Sequence, residues 1–233
     1  MTSKPSQTTM YPANARKLAL YSNHNAPHHH ALDARVMRLI NKNRPRIAYI
    51  PAEILGSEED FEKTHRHYAR LGANLAIFFD PGSETGPIDW NDVLACDAVH
   101  LSGGDTFAFL TRLRRWHGLE VLRDYVARGG VLIGVSAGAI LMGPSAEPGL
   151  LTGDLPESDA MDKSAIQLMD FHFWPHFDPA RRLSSGQRRL LQRLEHLHAC
   201  PDGAGVVVDG EAIELFGDVK VTELAPQTSL TTG

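Results

Sequence analysis

Val131-Leu-Ile-Gly-Val-Ser136-Ala-Gly-Ala-Ile140 decides the reading of this chain. An apolar run of strand length stops at one serine and passes directly into small residues that can open a helix. Gly134 and Gly138 remove the Cβ atoms that would collide at so sharp a turn. A Gly-x-Ser-x-Gly turn of this kind holds its serine in a strained backbone, with the hydroxyl exposed beyond the end of a buried strand. Ser136 is therefore the candidate nucleophile. Gly129-Gly130 just upstream ends a preceding helical stretch.

Outward from this turn, the chain alternates between short apolar runs and helical stretches, which predicts an α/β fold with a mostly parallel central sheet covered by helices on both faces. Strands are expected at Leu18 to Tyr21, Arg46 to Ile50, Asn74 to Phe79, Ala98 to Leu101 and Val131 to Val135. Helices are expected at His30 to Asn41, Ser57 to Leu71, Trp90 to Ala95, Thr106 to Trp116, Leu119 to Arg128 and Ala137 to Met142. Ser136 then follows the fifth strand at its carboxyl end, where open α/β sheets place their ligand crevices. Beyond it, Gly143 to Lys163 reads as a loop, Leu168 to Asp178 as part strand closed by Pro175, and Ser185 to His196 as a polar helix. Gly205 to Leu215 and Val219 to Leu224 alternate as two antiparallel strands joined at Gly217-Asp218, a C-terminal hairpin.

Length and composition narrow the function class. The 233 residues suit one α/β domain, expected over residues 17–233 behind a loose tail at 1–16. The formal charge of −5 and the scattered Lys and Arg disfavour a nucleic-acid-binding face. No apolar stretch approaches the roughly 18 residues needed to span a bilayer, so no membrane partner is expected. Two cysteines, Cys96 and Cys200, lack metal or framework spacing, which points to a reducing, cytoplasmic compartment. The composition is compatible with a monomer or a homodimer.

A serine hydroxyl needs a base to take its proton and a third group to orient that base. His176 is the candidate base, fixed by Pro175 among Phe173, Trp174 and Phe177. His172 competes, because an even spacing along a strand points both rings to one side. Metal binding is the other reading of His172, His176 and Asp178, with His28-His29-His30 as further donors. The amide of Ala137 and that of Gly103 or Gly104 are the candidate oxyanion donors. Asp105 and Thr106 then start the next helix.

Ser102-Gly-Gly-Asp-Thr-Phe107, Gly134-Val-Ser-Ala-Gly-Ala139 and Pro175-His-Phe177, in this order and spacing, resemble the S51 serine peptidases. That group contains the aspartyl dipeptidases of the peptidase E type and, more distantly, the cyanophycinases. The resemblance spans Lys17 to Leu224. It implies a class I glutamine amidotransferase-like, flavodoxin-like fold, with serine in place of the amidotransferase cysteine. It also implies hydrolysis of short peptides without cofactor or metal. The third triad member of the dipeptidases is a glutamate in a Pro-Glu-Gly turn; the matching stretch is Pro201-Asp202-Gly203, which makes Asp202 the choice, with Asp178 and Glu211 as alternatives. The arginine implied ahead of Gln187-Arg188 to hold a substrate aspartate is replaced by Ser185. Arg181 and Arg182 are the nearby cations, and with Asp105 and Ser185 they complete the candidate substrate-binding set.

Overall fold

The computed structural model describes residues 16–24, 29–53, 57–80 and 89–222. The expected tail up to residue 15, His28, and the last two residues of the expected closing strand lie outside them. Within them the first half of the chain follows the alternation: β1 (Lys17–Tyr21), α1 (His30–Ile40), β2 (Arg46–Ile50), α2 (Ser57–Arg70), β3 (Asn74–Phe78), α3 (Trp90–Leu94) and β4 (Ala98–Leu101). Then come α4 (Thr106–Arg115), α5 (Gly118–Ala127), β5 (Val131–Val135), α6 (Ala137–Ile140), α7 (Gly149–Thr152) and β6 (His172–Trp174). The chain continues with α8 (Ser185–Leu191), β7 (Leu197–Ala199), β8 (Gly205–Asp209), β9 (Ala212–Phe216) and β10 (Lys220–Thr222).

The main sheet has seven strands in the order β3-β2-β4-β5-β1-β8-β9. Its first five strands run parallel. β8 then pairs antiparallel with β1 and β9 antiparallel with β8. Alternate side chains feed two apolar layers: Leu18 and Leu20 of β1 pack on the side of α3 to α6, Ala19 and Tyr21 on the side of α1 and α2. β5 is buried at every position, as a continuous apolar run in a doubly covered parallel sheet should be. Each fully buried Leu or Ile contributes roughly 1.5–3 kcal/mol relative to exposure.

Three departures from the expected elements have local causes. The helix expected to reach His196 ends at Leu191, and the chain re-enters a strand as β7 in a second, three-stranded sheet ordered β10-β7-β6. β7 is not among the expected strands, because three residues are too few to show a period. The C-terminal hairpin exists, but it is β8–β9 turning at Gly210-Glu211, with Gly210 at φ 65°; the stretch after Gly217-Asp218 leaves for β7 instead. The expected loop at Gly143 to Lys163 contains the short α7, tied down by hydrogen bonds from Gln187 Nε2 to the carbonyls of Leu150 and Leu151. Arg16, at the end of the expected tail, is anchored: its carbonyl accepts from Gly210 N at 2.8 Å.

Strand register sets the positions that matter for the site. Tyr21 pairs with Val135 and Leu101 with Gly134, so β1, β4 and β5 end level with one another. Each is followed at once by a serine: Ser22, Ser102 and Ser136. The turn after β5 is possible only because α6 sits directly on the sheet. A Cβ on Gly134 would lie 2.6 Å from the Gly138 carbonyl, and one on Gly138 would collide with the Leu101 carbonyl. Gly138→Ala should therefore destabilise the protein by about 1–3 kcal/mol, since backbone on both sides cannot yield. Urea unfolding checks this, and an unchanged midpoint would refute the close approach.

Candidate active site

Ser136 stands at φ 50°, ψ −109°, a conformation that costs a non-glycine residue on the order of 1–3 kcal/mol. Both of its backbone groups are held: its N–H donates to the Tyr21 carbonyl and its carbonyl accepts from Ile140 N, each at 2.9 Å. The sharp turn leaves the side chain projecting from the carboxyl edge of the sheet. There Ser136 Oγ lies 2.9 Å from Nε2 of His176, and His176 Nδ1 lies 2.6 Å from Oδ1 of Asp202.

The histidine and the aspartate come from the small sheet. β6 and β7 run parallel, with His172 opposite Leu197 and Trp174 opposite Ala199, so the segments leaving their ends emerge together. Cys200 N donates to the Trp174 carbonyl at 2.8 Å, and Phe177 N donates to the Cys200 carbonyl at 3.0 Å. His176 follows β6 and adopts a left-handed backbone at φ 54°. Asp202 follows β7. Burial alone would raise the Asp202 carboxyl, but hydrogen bonds from His176, Asn23 and Ser22 outweigh it and hold the group below the ordinary carboxylate range.

Ser22 and Asn23 are the residues that sequence reasoning missed. Ser22 Oγ accepts from His176 N at 2.8 Å and approaches the Cys200 carbonyl at 2.9 Å and Asp202 Oδ1 at 3.3 Å. Asn23 Nδ2 donates to the other Asp202 oxygen at 3.3 Å. Their signal was positional, since a polar pair directly after the first buried strand lies at the same sheet edge as Ser136.

The loop after β4 closes the other side. Ser102 Oγ accepts from Ala52 N at 2.7 Å and donates to the Gly103 carbonyl at 2.8 Å. A Cβ on Gly103 would meet Ser136 Cβ at 3.5 Å, which places this backbone in contact with the serine. Gly104 has φ 141° and would collide with Ala52 if it carried a side chain. Gly138 N donates to the Ser102 carbonyl at 3.1 Å, joining this loop to α6, whose first residue is Ala137. Beside Ser136 and His176 opens a cavity of about 220 Å³, lined by Ser22, His24, Lys63, His100, Gly103 and Gly104 among others.

The remaining sequence candidates lie elsewhere. The three groups of the metal reading, His172, His176 and Asp178, do not converge: among the described residues the one His/Cys/Asp/Glu group close enough to share an ion is His24, Asp33 and His67. His172 is half-buried, lowered by burial, and absent from the lining of the Ser136 cavity. Asp178 Oδ1 accepts from Ala180 N in its own turn, and Glu211 is exposed in the β8–β9 turn. Asp105 caps α4 through Ala108 N at 2.7 Å. Arg181, Arg182 and Ser185 are exposed and do not line the cavity; Arg181 Nη2 reaches the Thr152 carbonyl at 3.5 Å. Cys96 and Cys200 are buried free thiols, and burial raises both, which makes them poor nucleophiles.

The cavity floor is electrostatically unusual. Burial, reinforced by His67, pushes His100 down to about 3, and burial with His100, His67 and His29 lowers His24 well below the ordinary imidazole value. Both rings stay neutral in the folded protein at pH values where the unfolded chain is protonated. Stability should accordingly fall as pH drops below about 6.5, with His100 alone contributing about 1.4 kcal/mol per pH unit toward pH 3. Urea midpoints across this range, with NMR titration of the His100 ring, measure it; a His100 that titrates near 6.5 contradicts the burial. Ser22→Ala removes a hydroxyl bridging the two halves of the site, and should lower hydrolytic turnover about tenfold with the fold retained by circular dichroism. Unaltered turnover would deny Ser22 that bridging role.

The model of peptidase family S51 matches residues 18–218 of this chain. A curated peptidase E from Pasteurella multocida is 25% identical over 197 residues, covering 80% of this chain and 81% of the relative. A second, from Haemophilus influenzae, is 29% identical over 171 residues, covering 69% and 75%. A crystal structure of a peptidase from an acI-B1 actinobacterium superposes with a TM-score of 0.69 at 16% identity, covering 91% of this chain and 92% of that one. At that identity the structural match speaks for the fold alone. Among the described residues no helix is long and apolar enough to cross a membrane.

Proposed function

The chain belongs to peptidase family S51, and from that premise we propose that it hydrolyses short peptides through an acyl-enzyme formed on Ser136. The observation that carries this reading is the continuous relay from Ser136 Oγ through His176 to Asp202, at 2.9 and 2.6 Å, on a serine held in a strained turn. Asp202 accepts a hydrogen bond from the Nδ1–H of His176 and so leaves the Nε2 lone pair facing the hydroxyl. As Oγ attacks the peptide carbonyl, Nε2 takes its proton and passes it to the departing amine. Water then adds to the ester by the same route in reverse, with the proton returned to Ser136.

The tetrahedral oxyanion requires donors fixed in advance. The amide of Ala137, at the start of α6, and that of Gly103 or Gly104 meet this need, since Gly103 touches Ser136 and glycine lets a substrate approach bare backbone. The cavity of about 220 Å³ supports a small substrate. Its lining is polar, with Lys63 and Asp60 of α2 facing it. Arg181, Arg182 and Ser185 lie outside that lining, so this reading assigns the side-chain preference to α2 and not to an arginine beside α8. The buried free cysteines accord with a reducing, cytoplasmic setting.

A fluorophosphonate probe should label the wild-type protein at Ser136 and fail on Ser136→Ala. That substitution should cut peptide turnover by a factor on the order of 10⁴ or more while leaving the unfolding midpoint within about 1 kcal/mol. Mass-spectrometric products from a defined peptide mixture, with arginine-aspartate isopeptides included, identify the bond cleaved. Undiminished hydrolysis by the variant, or no labelling of the wild type, overturns the assignment.

A further inference from the structure

We propose that His24, Asp33 and His67 form a binding site for a zinc-type divalent cation, distinct from the hydrolytic relay and reaching the floor of its cavity at His24. The three residues come from different parts of the chain: His24 from the segment after β1, Asp33 from the first turn of α1 and His67 from the last turn of α2. Their donor atoms all lie within 4.8 Å of one another.

The spacing and chemistry are those of a metal site. His67 Nε2 faces Asp33 Oδ1 at 3.4 Å, yet it makes no hydrogen bond there and is shut off from solvent. Two ligands at zinc-nitrogen and zinc-oxygen lengths with a tetrahedral angle are separated by about 3.4 Å. The pair is thus spaced as an edge of a zinc tetrahedron. His24 Nε2 is likewise buried with no hydrogen-bond partner, and its ring centroid lies 4.0 Å from that of His67. Leaving a buried ring nitrogen unpaired costs about 1–3 kcal/mol, and both histidines of the cluster carry one. A cation satisfies both at once.

The surroundings prepare the donors. Tyr21 Oη donates to Asp33 Oδ1 at 2.9 Å, the kind of outer contact that orients a ligating carboxylate. The chemistry of two imidazoles and one carboxylate suits zinc and disfavours calcium or magnesium, which prefer all-oxygen shells.

The site has a structural consequence for the relay. His24 directly follows Ser22 and Asn23, which hold Asp202 and the His176 backbone. A cation that ties His24 to α1 and α2 fixes the segment carrying both contacts, so zinc acts on the relay through positioning and takes no part in bond cleavage.

The full-length protein, stripped by chelator and titrated with Zn²⁺ by calorimetry, should bind about one ion per chain. At an ion concentration one hundred times its Kd, the Tm should rise by about 5–10 °C. Asp33→Asn, which preserves shape, and His67→Ala should each weaken binding at least about 100-fold. Ser136→Ala, His176→Ala and His172→Ala should bind as the wild type does, which separates failure of this site from failure of the hydrolase reading. Should a ligand variant not fold, X-ray absorption at the zinc edge of the wild type, expected to report two imidazoles with oxygen, decides the matter in its place. No binding at about 100 µM Zn²⁺, full binding retained by folded Asp33→Asn, or a first shell without imidazole overturns the proposal.

Discussion

The contact between α6 and the carboxyl edge of β4 and β5 is the constraint on which the site depends. Gly134 and Gly138 bring two backbones closer than any side chain allows, and that closeness obliges the chain to turn at Ser136 within one residue. The strained φ of 50° follows from it and persists because the backbone bonds to Tyr21 and Ile140 leave no relaxed alternative. A serine on a relaxed loop would reach the same region but would not present its hydroxyl in one direction.

Around this fixed point the rest of the site is a matter of level edges. Parallel pairing in register aligns the ends of β1, β4 and β5, and the three serines that follow divide the work. Ser136 turns its hydroxyl to His176. Ser102 shapes the glycine loop through its bonds to Ala52 and Gly103. Ser22 reaches across to the small sheet and contacts His176, Cys200 and Asp202. Because the small sheet contains short strands, its placement relies on such cross-links as much as on its own pairing. The exposed relay groups, with His176 at 38% and Asp202 at 52% side-chain exposure, are held by these bonds more than by burial.

Behind the relay the interior changes character. Between the sheet and the helices α1 and α2, apolar packing gives way to His24, His67, His100, Tyr21, Tyr68 and Asp33, joined by ring contacts and by bonds such as Tyr68 Oη to His100 Nδ1 at 2.9 Å. Buried polar groups stabilise a fold only when they are satisfied. The unpaired ring nitrogens there are thus the part of this core whose energetics depends most on what occupies the space between them.

The sequence alone determined what is local. The run from Val131 to Ile140 carries a strand period, two glycines and a helix opening, so the turn and its serine were legible without coordinates, as were the parallel strands and both apolar faces. Pro175 and its aromatic neighbours marked His176, whereas Asp202 came only from the family resemblance of its Pro-Asp-Gly turn, with Asp178 and Glu211 left as alternatives. Strand order, register and partner exchange were decided only by the tertiary structure. Leu197–Ala199 is too brief to show periodicity, and the segment after Gly217 prefers β7 to the hairpin for reasons lying far along the chain. Ser22, and the meeting of His24 with Asp33 and His67, were equally hidden. Side-chain periods of two and 3.6 residues encode which element forms and which face is buried; which distant atoms finally touch depends on how those elements stack.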